Sequence, residues 1–118
     1  MGVTGVGGIF FRADDPDALR HWYRTHLGVG GEGYMPWEQV AGPTMFLPFA
    51  ANTDMWPREK PWMLNFRVDD LDALLATLRA ADIAIERDPT WDTPETGSFA
   101  RIHDPEGNPI ELWQPPAE

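Results

Sequence analysis

The sequence predicts an α+β domain made of two tandem β-α-β-β-β modules, and three observations lead there. The chain has 118 residues, 42% hydrophobic and 12% aromatic, a length and composition that suit one compact domain with a real core. An internal repeat divides it: Phe11-Arg12-Ala13-Asp14-Asp15-Pro16-Asp17-Ala18-Leu19 lies over Phe66-Arg67-Val68-Asp69-Asp70-Leu71-Asp72-Ala73-Leu74 at an offset of 55 residues, with seven of nine positions identical. Each copy then reads alike, as a strand-like run, an acidic helix cap, an amphipathic helix and several short β-rich runs. Module one covers about residues 1–56 and module two about 57–118.

The elements follow in order. Gly8–Ala13 and Trp62–Val68 are rich in aliphatic and aromatic residues and contain no internal proline, the profile of a strand. Asp15 followed by Pro16 is a helix start, and Asp70 occupies the matching place in the second copy. The first helix runs to about Leu27, with Gly28 as its C-cap, and buries Leu19, Trp22, Tyr23 and Leu27. The second buries Leu71, Leu74, Leu75 and Leu78 and ends near Asp82. The strands expected after the first helix are Gly31–Tyr34, Trp37–Ala41 and Thr44–Phe49. Those after the second are Ile83–Arg87, Phe99–His103 and Pro109–Gln114. Asp104-Pro105-Glu106-Gly107-Asn108 is a turn between the last two, because Gly107 can take the positive φ a tight hairpin needs. Ala51–Pro61 connects the modules.

Charge and composition remove several functions. Lys and Arg number 9 against 19 Asp and Glu, a formal charge of -10, which argues against nucleic acid or an anionic membrane as partner. The chain has no cysteine, which excludes disulfides, thiol nucleophiles and thiolate zinc sites. No apolar run is long enough to span a bilayer. Met1–Gly8 carries no signal-peptide pattern, so the expected address is the cytoplasm. Ser98 has no nucleophile-elbow glycines around it, and the glycines before residue 9 are not followed by the GK[ST] of a phosphate loop.

The doubled module, the Trp22-Tyr23-Arg24-Thr25-His26-Leu27-Gly28 helix end and the Asp104-Pro105-Glu106-Gly107-Asn108-Pro109-Ile110-Glu111-Leu112 terminus together resemble the vicinal oxygen chelate superfamily. That superfamily includes glyoxalases, extradiol dioxygenases, fosfomycin-resistance enzymes and bleomycin-resistance proteins. The resemblance implies that the modules curl into a cup of mixed sheet, often in a homodimer. In metal-dependent members four ligands line the cup, from the first and last strand of each module. Carried onto this chain, those positions fall on Gly8, Met63, a residue near Phe46 or Leu47, and Glu111. Only Glu111 suits a hard divalent ion, and a catalytic metal normally takes about three protein ligands. The expectation is therefore no metal and no other cofactor.

Strand alternation sets the remaining candidates. The apolar faces (Ile9, Phe11, Ala13; Leu64, Phe66, Val68) pack on the helices. The mixed faces line the cup, with Phe10 and Arg12 from module one, and Met63, Asn65 and Arg67 from module two. Glu111 and Trp113 face the cup from the last strand, and Trp37 is a further candidate for its wall. Arg12 and Arg67 offer rigid donor forks for an anionic group. In the glyoxalase branch an arginine matching Arg12 contacts a substrate carboxylate. The competing reading pairs each arginine with a local acid. Glu111 could act as a general base in a lyase or isomerase, or merely balance an arginine. The expected function is binding of a small organic ligand in an arginine- and aromatic-lined cup, with glyoxalase-like catalysis or an empty structural subunit as alternatives.

Overall fold

A computed structural model describes residues 1–117. Its elements are helix α1 (Pro16–Leu27), strand β1 (Leu64–Arg67), helix α2 (Leu71–Ala80), a short 3-10 turn (Pro89–Trp91), and strands β2 (Ser98–His103) and β3 (Pro109–Gln114). Both helices start where their capping residues dictate. The Asp15 carboxylate accepts from the Ala18 N–H and the Asp70 carboxylate from the Ala73 N–H, each satisfying a donor that the first helical turn leaves free. Gly28 closes α1 in the left-handed region at φ 66°, a conformation that costs glycine little.

The three strands form one mixed sheet in the order β1-β3-β2, with β1 parallel and β2 antiparallel to the central β3. One face packs on both helices. Leu71, Leu75, Leu78, Ile102, Ile110 and Leu112 are essentially inaccessible, and Leu19 and Tyr23 of α1 join them. Each such aliphatic side chain contributes about 1.5–3 kcal/mol through burial. No helix among the described residues is long and apolar enough to cross a membrane.

Two groups of expected strands differ from the sequence reading. Ile83–Arg87 contracts to a single bridge, Glu86 opposite Arg101. Beyond it Asp88 turns the chain into the 3-10 turn, its carboxylate accepting from both the N–H and the hydroxyl of Thr90. Those bonds, the backbone one foremost, lower its carboxyl below the usual range. The second group is Gly8–Ala13, Gly31–Tyr34, Trp37–Ala41 and Thr44–Phe49, none of which enters a ladder. Strand propensity has effect only where a neighbouring strand offers hydrogen bonds, and among the described residues no second strand lies beside these segments. Their large side chains stand in solvent: Phe10 is 91% and Phe46 84% exposed.

A buried polar knot joins α1 to the β2–β3 turn. Asp104, 4% exposed, accepts from the Tyr23 hydroxyl at 2.6 Å, the N–H groups of Glu106 and Asn108 at 2.9 and 3.0 Å, and Asn108 Nδ2 at 2.7 Å. From the same turn, the Glu106 carboxylate accepts from the N–H groups of Asp14 and Asp15. Burial first, then the bond and the charge of Asp104, push the Tyr23 hydroxyl far above its ordinary pKa. Below about pH 10 the residue is protonated in folded and unfolded chains alike, and its contribution is constant. Above that pH only the unfolded chain loses the proton, so stability falls as pH rises. Comparing denaturant melts at pH 9 and pH 11, the parent should lose up to about 1.4 kcal/mol per pH unit more than Tyr23→Phe. Equal slopes would mean that Tyr23 ionises freely in the folded state.

Candidate functional site

The sheet face turned away from the helices carries the chemistry. Because side chains alternate along a strand, the register sets two rows across all three strands. Asn65, Glu111 and Arg101 form one row, and Arg67, Trp113 and Phe99 form the next. In the first row Asn65 Nδ2 donates to Glu111 Oε1 at 2.8 Å, and Arg101 Nη2 lies 3.7 Å from Glu111 Oε2. The pair is largely shielded, with side chains 12% exposed for Arg101 and 16% for Glu111. In the second row the Phe99 and Trp113 rings are nearly parallel, 6.4 Å apart, and Trp113 Nε1 donates to the Thr96 carbonyl.

Segments from outside the sheet edge this face. Arg67 Nη2 donates to the Val40 carbonyl at 2.9 Å. A side chain at Gly42 would run into the Arg67 guanidinium. Arg101 Nη1 donates to the Met55 carbonyl, and its guanidinium lies over the Trp91 ring, 5.0 Å from the centroid. A guanidinium stays charged when buried, so its burial is favourable only beside acceptors or π-faces. Arg101 Nε nevertheless has no hydrogen-bond partner among the described residues.

Asn65, Arg67, Glu111 and Trp113 therefore share one surface, while the other candidates lie elsewhere. Phe10 and Arg12 are exposed in the unpaired N-terminal segment, and Arg12 makes no hydrogen bond or ion pair among the described residues. Met63 is half-buried just ahead of β1. Trp37 sits on the helix side of the sheet, with its ring edge-on to Phe66, which in turn touches Tyr23. Arg101 and Trp91 join this surface; the sequence put Arg101 there only on an uncertain strand parity, and put Trp91 in or beside a loop that could rim the cup. The available signal was the alternation of Phe99, Arg101 and His103, whose face could not be assigned without knowing where β2 begins.

The donors around Glu111 do not fit a divalent ion. One carboxylate oxygen is engaged by an amide and the other faces a guanidinium, and its strand partners are Asn65 and Arg101 in place of histidine or acid. Among the described residues no three His, Asp or Glu side chains gather in one place. Two depressions lie off this face: one is lined by Phe11, Lys60, Pro61, Trp62, Leu64 and Asn108, the other by His21, Arg24 and Thr25 on α1.

The sequence matches, over residues 5–112, the family described as the Glyoxalase/Bleomycin resistance protein/Dioxygenase superfamily. Among solved structures it is similar to TnmS3, an antibiotic binding protein from Streptomyces sp. CB03234, at 25% identity and a TM-score of 0.62, covering 98% of both chains. A glyoxalase/bleomycin resistance protein from the same organism aligns over 43% of this chain and 42% of its own, at 39% identity and a TM-score of 0.38. No curated protein matches.

Proposed function

We propose that this chain, which belongs to the Glyoxalase/Bleomycin resistance protein/Dioxygenase superfamily, captures a small organic molecule on the outer sheet face without a metal ion. The observation that carries the reading is the pairing of the two rows. Glu111 is held by Asn65 and faces Arg101, while the half-buried Phe99 and the largely buried Trp113 stack beside them next to the Arg67 cation. Flat aromatic surface with a few anchored polar groups suits an organic ligand. A carboxylate with one oxygen bonded to an amide and the other facing a guanidinium is poorly placed to take a substrate proton or to hold a metal. The similarity to TnmS3, an antibiotic binding protein, favours an antibiotic-like ligand over a central metabolite.

The working form in this reading is a homodimer of chains with two tandem modules. Among the described residues every exposed large apolar side chain lies between Met1 and Trp62, and no strand lies beside the outer edge of β1. Unpaired edges and apolar patches of this kind are covered by association. A second copy would supply the neighbour that Gly8–Ala13, Trp37–Ala41 and Thr44–Phe49 need in order to become strands, completing the cup.

Thermal melts with bleomycin and doxorubicin as first probes, before and after dialysis against chelator, test the binding. A ligand present at about 100 times its Kd should add roughly 2.7 kcal/mol of stability, equally in both preparations. Binding lost on chelation and restored by added zinc or manganese would overturn the metal-free reading.

A further inference from the structure

We infer that Arg101 is the ligand anchor of this face, and that the group it takes is an uncharged carbonyl oxygen on a planar aromatic compound. The inference rests on the binding reading above and narrows its ligand class. A guanidinium presents two donor edges. In Arg101, Nη1 is occupied by the Met55 carbonyl. The opposite edge is formed by Nε and Nη2, and its Nε is unfilled among the described residues. Nη2 has only the Met55 sulfur at 4.0 Å and a Glu111 oxygen at 3.7 Å. A thioether is a weak acceptor, and 3.7 Å exceeds a normal hydrogen bond to oxygen. Leaving donors of a buried cation unmade is unfavourable, and an incoming oxygen would satisfy them.

The charges on the face select which oxygen. Glu111 stands 3.7 Å from Arg101, and a second acid, the exposed Glu86, lies opposite Arg101 across the backbone bridge. A ligand carboxylate at the Nε–Nη2 edge would meet Glu111 at close range and a chain of net charge -10, whereas a neutral carbonyl accepts without that repulsion. The ring that carries the carbonyl finds the Trp91 indole on one side of the guanidinium and the Phe99–Trp113 pair in the neighbouring row. Met55 covers the edge from the connector. The residue is 37% exposed and its side chain unbranched, so it can move aside with little loss of packing.

Three matched probes test this by equilibrium dialysis: 2-acetylnaphthalene, 2-ethylnaphthalene and 2-naphthoate. The acetyl compound should bind about tenfold more tightly than the ethyl compound, the worth of one hydrogen bond to a charged donor, and more tightly than the naphthoate. Arg101→Lys keeps the charge but removes the fork, and should bring the acetyl compound down to the ethyl level. If that variant does not fold, the ranking on the parent protein decides alone. Equal binding of the acetyl and ethyl compounds, or an unchanged preference in a folded Arg101→Lys protein, overturns the Arg101 assignment and leaves the binding face standing. Naphthoate binding tightest would make the anchor an anion site and overturn the neutral-carbonyl class. Failure of all three to bind would overturn both readings.

Discussion

Asp104→Ala should destabilise the protein by about 3–5 kcal/mol, lowering the melting temperature by roughly 12–20 °C. The carboxylate accepts four hydrogen bonds in a position that water does not reach. Alanine would leave the Tyr23 hydroxyl buried without an acceptor and release two N–H groups of the β2–β3 turn. Each unmade buried donor costs about 1–3 kcal/mol, and bonds to a charged acceptor stand at the high end. Tyr23→Phe removes only one of the four bonds, and its cost should be near 1 kcal/mol. Asp104→Asn should fall between them, because one of its two side-chain heads would present donors to donors. Differential scanning calorimetry of the three variants checks the order. A loss below 1 kcal/mol for Asp104→Ala would mean that the turn folds without this knot.

The dimer reading carries the second large effect. Sedimentation of the parent protein at micromolar concentration should give twice the 13.3 kDa chain mass. The double substitution Phe10→Asp and Phe46→Asp should give the chain mass itself. In a two-fold symmetric contact each substitution counts once per chain, so four apolar rings are replaced by charges. At about 1.5–3 kcal/mol for each phenylalanine withdrawn from burial, dimer affinity should fall by 10⁴-fold or more, roughly. The parent should also gain strand signal in circular dichroism as it associates. A parent that sediments as a single chain at these concentrations would remove the second copy from the account.

The sequence made the helices legible because their ends are local chemistry. Asp15-Pro16, Asp70 and Gly28 each satisfy backbone groups within a turn of themselves, and no distant contact is needed to read them. Strand faces in the second half were legible for a related reason: alternation in Leu64–Arg67 and Pro109–Gln114 assigns Asn65, Arg67, Glu111 and Trp113 to one side whatever lies beside them. The length of Ile83–Arg87 was not legible, since one bridge or a full ladder depends on where Asp88 and Pro89 turn the chain. Nor was the state of the first-half strands, whose pairing partner is not a neighbour in sequence. Trp37 misled for the same reason. Its composition suits a cup wall, but its place beside Phe66 follows from a loop path that no pattern encodes. The Asp104 knot carried a visible sign, an aspartate opening a Pro-Glu-Gly-Asn turn. Only its distance of 81 residues from Tyr23 kept the second half of that contact hidden.

The strand order has a consequence for how the chain is made. The sheet runs β1-β3-β2, so the strand that both others need is the last to leave the ribosome. Until Pro109–Gln114 is synthesised, β1 and β2 have no ladder, and the helices have no floor for Leu19, Leu75 and Leu78. Meanwhile the first sixty residues, which carry the solvent-exposed aromatic and aliphatic side chains, are already outside. Sheet assembly in this protein thus waits for β3, and until that strand emerges the nascent chain stays in a state that needs chaperones.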